Sequence, residues 1–357
     1  MHFISAKHAR DLSMKMLTTA GIPEPDATIL FESLLMPSLR GHDSHGIRGI
    51  PNVVNQAVRD PQRSHIKPTV LLETDTTIAM DAKFGLGPVI ARKAVDTVVE
   101  KARKHGMAAA TMYNLPGVTA LGYYTELIAK QDMIGQMYTR SSIPQSPPYG
   151  GASRMLGTNP VSVAIPALTE KPIIVDMAST AIAARALSPY IAARKPIPEG
   201  WILDDDGVTT SDPTKYEAGA PMNPGKAGSM ANMTNGPKGY ALQLISEIFG
   251  GILGGGVMDP SPIVTGKIAN DSMIMAINIS AFGDLNTFKT KVDQRIRMLK
   301  SSKKAKGFDE ILIPGERGFK TEEKRMKEGI PLEDNDWQEW LKAAKQFNID
   351  VEKVLSS

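Results

Sequence analysis

The chain has 357 residues, enough for a sizeable buried core and, by length, for two domains. Lys plus Arg number 41 against 38 Asp plus Glu, and a net charge of +3 is too small to point to a nucleic-acid or membrane partner. The absence of cysteine excludes disulfides, thiolate nucleophiles and Cys-ligated metals. No run approaches the ~18 apolar residues of a membrane span. The amino terminus, MHFISAKHARDLSMKML, is amphipathic without a signal-peptide core, so a cytoplasmic location is expected.

In chain order, Ser5 is placed to cap a helix carrying Leu12, Met16 and Leu17, which Gly21 and Pro23 end. Asp26 is placed to cap a second helix through Leu30, Leu34 and Leu35. The stretch Arg40 to Gly49 is polar and glycine-punctuated, and reads as a loop or helix entrance of the kind that carries function on a rigid scaffold. From about residue 75 short apolar runs alternate with helices: a strand at Thr77–Met80, a helix marked by Ala94, Val95, Val98, Val99 and Ala102, and a strand at Met107–Tyr113. Further strands are expected at Ile134–Tyr138, Val161–Ile165, Ile173–Met177 and Met273–Ile279. Helices are expected at Leu121–Lys130, Gly239–Leu253 and Leu285–Leu299, and a last amphipathic helix from Asp336. The long Pro- and Gly-rich stretch from Ala186 to Gly236 suggests a lid or an interface.

The dinucleotide fingerprint G-x-G-x-x-G between a strand and a helix is missing, so a doubly wound Rossmann domain is not expected. His42-Asp43-Ser44-His45-Gly46 packs two imidazoles, a carboxylate and a hydroxyl into five residues. A histidine suits proton delivery to a carbonyl oxygen and a hydroxyl can orient it, although a polar helix cap with a surface histidine reads equally well from spacing alone. Arg48 is placed to grip a substrate carboxylate. Gly157-Thr158-Asn159-Pro160 is a turn before a strand whose side chains could face a ligand. Asp176-Met177-Ala178-Ser179-Thr180 closes an apolar strand; it suits a helix amino terminus receiving a phosphate, or ordinary helix capping. Pro237-Lys238 opens the strongest helix, and a lysine there opposes the macrodipole and asks for an anion.

Six segments in this order resemble the malate/L-lactate dehydrogenase family of the second, non-Rossmann type, which includes sulfolactate, ureidoglycolate and diketogulonate oxidoreductases and a cyclic imine reductase. They are RGHDSHG (40–46), LGTNPVSVAIP (156–166), VDMAST (175–180), PEGWILDDDG (198–207), GPKGYALQLISEIFGGILGG (236–255) and ILIPGERG (311–318). The resemblance implies an α/β fold in which a non-Rossmann mixed-sheet domain (75–308) holds NAD or NADP. Beside it would lie a helical domain built from both chain termini (1–74 with 309–357). It implies a homodimer acting on a small 2-oxo acid or related cyclic imine. His45 would be the proton donor with Ser44 hydrogen-bonded to it, and Thr158 and Asn159 would lie by the substrate. Asp176, Met177, Ala178, Ser179, Thr180, Pro237, Lys238, Pro314, Gly315 and Glu316 would line the cofactor site.

The chain departs from that pattern where family members carry a His-Phe pair, here Gly117-Val118, and a Gly-Lys pair, here Arg185-Ala186. The arginine and tyrosine that often follow Ser-His-Gly fall at Gly49 and Val53. Arg48, Arg140 and Arg185 are basic instead. These changes point to an acidic substrate other than plain malate or lactate. The alternative is a catalytically degraded relative that binds a nucleotide or acidic metabolite. Metal-dependent hydrolysis has no support: beyond His42 and His45 no second pair at ligand spacing completes a site.

Overall fold

The structure is a computed structural model that describes residues 1–216, 228–256 and 268–356; the side chains of Ala184, Arg185 and Ser188 lie outside the description. At the amino terminus β1 (His2–Ile4) leads into α1 (Ala6–Thr19), where the Ser5 side chain accepts from the His8 N–H and Leu12, Met16 and Leu17 are buried. The second helix, α2 (Glu24–Leu39), starts earlier than Asp26. Pro25 is tolerated in the first turn, where its missing N–H would have no partner anyway, so Asp26 sits inside that turn near the positive end of the dipole. After α3 (Ile50–Arg59) the chain enters the large sheet at β2 (Thr69–Glu73), earlier than the alternation at Thr77 suggests.

The large sheet also takes in β3 (Thr77–Asp81), β4 (Met107–Tyr113), β5 (Met133–Thr139), β6 (Val161–Ile165), β7 (Ile173–Met177) and β11 (Ser272–Asn278). Among the described residues it has seven strands in the order β2-β3-β4-β11-β5-β6-β7. In it β3 and β4 pair in parallel, through the crossover helix α4 (Gly87–His105), and the other described neighbours are antiparallel. This is a mixed α/β sheet without the doubly wound order, as the absent fingerprint implies. On one face, α4 and α5 (Leu121–Ala129) bury Ile90, Val95, Val98, Tyr124 and Ile128 against Ala108, Ala110, Met137 and Ile274. Each large aliphatic side chain so buried contributes about 1.5–3 kcal/mol. The packing is close enough that a Cβ on Gly135 of β5 would lie 2.6 Å from the Thr125 carbonyl, so α5 can rest on β5 only over a glycine.

Between β7 and α7 (Pro237–Gly250) come α6 (Ala184–Ala193) and a three-stranded sheet of β8 (Ile202–Leu203), β9 (Thr209–Thr210) and β10 (Ser229–Met230), in the order β10-β8-β9. α7 lies across β5, with Phe249 edge-on to Tyr138. After β11 follow α8 (Leu285–Lys300), α9 (Glu316–Glu328), β12 (Ile330–Leu332), α10 (Asp334–Gln346) and α11 (Val351–Leu355). β12 pairs with β1, and one hydrophobic cluster draws on both chain ends, with Leu12, Phe31 and Ile50 packed with Trp340, Ala344 and Val354.

Candidate active site

The connection from α2 to α3 doubles back on itself. Gly41 takes φ +81°, the His42 N–H donates to the Pro37 carbonyl at 2.8 Å, and single 3-10 turns follow at Asp43–His45 and Ile47–Gly49. The Ile47 N–H then donates to Ser38 Oγ at 2.8 Å. A Cβ on Gly46 would lie 1.9 Å from Ser38 Oγ and 3.2 Å from Ser38 Cα, so glycine is what lets the chain return along α2. Arg325 of α9 grips the Asp43 carboxylate with both terminal nitrogens and donates to the Ser38 carbonyl as well. On this braced turn Ser44 Oγ and His45 Nδ1 are 2.9 Å apart. Desolvation, with Arg317 nearby, holds the His42 imidazole below its ordinary pKa. Arg48 points elsewhere: its guanidinium lies 3.8 Å from the Asp336 carboxylate on α10.

A second group gathers where β5 ends, β6 begins and α7 crosses. Arg140 is buried, with Nε 2.9 Å from Glu247 Oε1 and Nη1 3.5 Å from Asp271 Oδ2. Asn159, fully buried at φ +38°, accepts from the Ser141 N–H and donates through Nδ2 to Glu247 Oε2 at 2.6 Å. Asn232 donates to Gln243 Oε1, and Gln243 donates to the Gly157 carbonyl. Asp271 Oδ1 is buried with no partner among the described residues. Burial pushes the Asp271 pKa up to about 6 against the pull of Arg140. Asn159 and Arg140 are therefore internally bonded groups, whereas the half-buried Thr158 makes no side-chain hydrogen bond among the described residues.

At the end of β7, Asp176 Oδ2 accepts from the Gly122 N–H at the start of α5, 2.7 Å away. The carboxylate is open to solvent at its surface while protein crowds it from behind, and desolvation pushes its pKa up to about 6. Met177 and Ala178 follow it on the accessible side. Ser179 and Thr180 differ from expectation: the helix starts only at Ala184, Ser179 Oγ donates to the Asn159 carbonyl and Thr180 Oγ1 to the Ile182 carbonyl. Their hydroxyls close a turn that pairs Thr180 with Asn232. Pro237 and Lys238 do open α7, with Lys238 exposed and without an ion pair among the described residues. Pro314 accepts from the Ile174 N–H on the outer edge of β7, Gly315 stands at φ +99° and Glu316 folds back on the Ile313 N–H. The Arg185 side chain lies outside the described residues.

Sequence reasoning passed over Glu247, Gln243 and Asp271. The first two had a visible signal, since Gln243, Ser246 and Glu247 recur at three- and four-residue steps on a mostly apolar helix, marking a polar face turned inward.

The family model for malate/L-lactate dehydrogenase matches residues 4–340. The chain belongs to that family. A malate dehydrogenase of Pyrococcus horikoshii is 34% identical over 340 residues, covering 94% of this chain and 93% of its own length. An L-sulfolactate dehydrogenase of Methanocaldococcus jannaschii is 31% identical over 363 residues, covering 99% of each. The crystal structure of a malate dehydrogenase from Entamoeba histolytica superposes with a TM-score of 0.90 at 26% identity, over 98% of this chain and 99% of that one. The protein is thus an enzyme of a family of dehydrogenases that act on hydroxy acids. Among the described residues no helix is long and apolar enough to cross a membrane.

Proposed function

We propose that the protein is an NAD(P)-dependent oxidoreductase that interconverts a small 2-oxo acid, or a related cyclic imine, with its 2-hydroxy or amino acid, and that His45 is its acid/base. The observation that carries this is the 2.9 Å contact between Ser44 Oγ and His45 Nδ1 on a turn held by Ser38, Gly46 and Arg325. With the Ser44 hydroxyl donating to Nδ1, the neutral imidazole carries its proton on Nε2, ready for the carbonyl oxygen. When bound, the nicotinamide supplies or accepts the hydride. Asp176 would hold it through the carboxylate oxygen that Gly122 leaves unused, and Lys238 at the start of α7 would meet its phosphates. Met177, Ala178 and the Pro314–Glu316 turn would flank the cofactor beside β7, while Ser179 and Thr180 would shape its site through the backbone. Thr158 remains available to the substrate.

A homodimer is supported by the outer face of α7 and its extension, where Leu244, Ile245, Ile248, Phe249, Ile252 and Leu253 are 38% to 60% exposed. The apolar edge strand β2, with Val70, Leu71 and Leu72 open to solvent, points the same way.

The test is binding of NADH and NADPH followed by nicotinamide fluorescence, then turnover of a panel of 2-oxo acids and imines read at 340 nm. His45→Asn should lose about 10²- to 10⁴-fold in kcat while still binding cofactor. Unchanged turnover would remove His45 from the mechanism. Cofactor binding with silence across the panel would favour a degraded, binding-only relative.

A further inference from the structure

The turn that carries Ser44 and His45 is held at its two ends rather than by packing. None of Asp43, Ser44 and His45 is buried. Two backbone bonds close the turn, from the His45 N–H to the His42 carbonyl at 3.0 Å and from the Gly46 N–H to the Asp43 carbonyl at 3.1 Å. A single 3-10 turn of this kind is a weak structure by itself. On the carboxyl side the chain is fixed at Ile47, whose N–H meets Ser38 Oγ and whose side chain is fully buried. On the amino side the fixed point is Asp43. Arg325 Nη1 and Nη2 meet its two carboxylate oxygens at 2.5 and 3.0 Å, and Nη1 also donates to the Ser38 carbonyl. One guanidinium thus ties the end of α2 to the first residue of the His45 turn. A two-pronged pair fixes direction as well as distance, which a lysine cannot do. The Arg325 side chain is 15% exposed, so solvent screens this pair less than an ordinary surface bridge.

Arg325 stands in the last turn of α9, and the other end of that helix is the Pro314–Glu316 turn. α9 lies against the end of α2 along one face. A Cβ on Gly318 would meet Arg40 Cβ at 3.3 Å, a Cβ on Gly41 would meet Thr321 Cγ2 at 3.3 Å, and Glu322 pairs with Arg40 at 3.0 Å. Positions 318, 321, 322 and 325 recur at the three- and four-residue steps that share a helix face. At ~1.5 Å of rise per residue, Glu316 and Arg325 are about 13 Å apart along the axis. Where α9 begins, the Pro314 carbonyl accepts from the Ile174 N–H on β7, two residues before Asp176. A continuous chain of contacts therefore runs from the strand that ends at Asp176, through one helix, to the turn that presents His45.

We propose that Asp43 and Arg325 are positioning residues for the proton transfer. Their ion pair holds the Ser44–His45 turn on α9, the helix that begins at the cofactor turn, so that proton donor and cofactor site keep one register. Both residues act through His45. The inference rests on the reading of His45 as the acid/base and of the Pro314–Glu316 turn as part of the cofactor site, but the hold on His45 can be read without turnover.

Two measurements on the full chain test it. In the first, Arg325→Gln and Asp43→Asn should each lower kcat about tenfold to a hundredfold while nicotinamide binding by fluorescence stays as in wild type. Arg325→Lys, which keeps the charge without the fork, should fall between. In a His45→Asn background the same substitutions should cost nothing further in kcat, because they act through a group already removed. A merely structural role would cost as much there as in wild type. In the second, the ligand-free protein carries isotope-labelled histidine, and the His45 imidazole signal is assigned by its loss in His45→Asn. That signal should move or broaden in Asp43→Asn, which leaves Arg325 its hold on Ser38 and decides the question if Arg325→Gln does not fold. A protein that turns over no 2-oxo acid or imine would overturn the reductase reading while the His45 signal still reports on the pair. An unmoved His45 signal in Asp43→Asn, an unchanged kcat in an active enzyme, or an equal loss in the His45→Asn background would each overturn the proposal.

Discussion

Replacing Asp271 with Asn should stabilise the protein at pH 8 and hardly at pH 4, although Asp271 is the partner of a buried arginine. The carboxyl is almost fully enclosed, one of its oxygens has no partner among the described residues, and its pKa is pushed from 3.8 up to about 6. A folded pKa above the unfolded one means that the folded state binds the proton more tightly. The stabilisation is full below about pH 4 and is lost as the pH rises through 6. That shift corresponds to ~3 kcal/mol of cost for holding the ionised carboxylate inside at pH 8, an upper figure because Arg140 shares the site. The opposing influences are the attraction to Arg140 and the backbone N–H groups of Leu115 and Asn114 that face the carboxylate. That guanidinium is 3.5 Å from Asp271 but 2.9 Å from Glu247, so it keeps its closer acid when Asp271 is neutralised. Urea unfolding of wild type and Asp271→Asn at pH 4 and pH 8 reads the balance directly. The variant's gain over wild type should grow between about pH 4 and pH 6 and level off above that. A loss of stability that is larger at pH 8 than at pH 4 would show that the ion pair outweighs the burial and would refute the argument.

Gly46→Ala forces a Cβ into Ser38 and displaces the Ser44–His45 turn; a cost of about 1–3 kcal/mol in unfolding and about a hundredfold in kcat is expected. Glu126→Gln removes the acid that Arg40 meets at 2.8 Å in a buried setting, and should cost about 3–5 kcal/mol in denaturant unfolding because the guanidinium is left with the half-buried Glu322 alone. Asp176→Asn keeps the Gly122 hydrogen bond but removes the charge. It should weaken nicotinamide binding about tenfold by fluorescence titration with little change in thermal stability.

The regular part of the fold was legible because one face of each element is buried. In β4, Ala108, Ala110 and Met112 alternate inward; in α4, Ala94, Val95, Val98 and Ala102 recur at helical steps, and the crossover between β3 and β4 follows from that order. β2 escaped because Val70, Leu71 and Leu72 are all exposed, so no alternation records a buried face. β1 and β12 escaped because three residues are too few to show a period, and their pairing joins segments more than 300 residues apart.

The site divides along the same physical line. The His42–Gly46 turn concentrates its chemistry within five residues, so composition alone marks it. The Arg140 group does not: Glu247 lies 107 residues away and Asp271 lies 131, and nothing local says that these three charges meet inside the protein. A lone arginine in a sequence reads as a cation awaiting a substrate, and Arg140 and Arg48 both read that way until the fold brings in their acids, Glu247 on α7 and Asp336 on α10. Arg63 is the converse case. It sits in a segment without periodicity, three residues after Asp60. The fold turns its guanidinium onto a carbonyl and an amide, and leaves its charge facing a cavity. A half-buried charge with only a distant counter-ion is costly to keep. Arg48 and Arg140 each have a carboxylate within reach, whereas Arg63 keeps only the more distant attraction of Asp60.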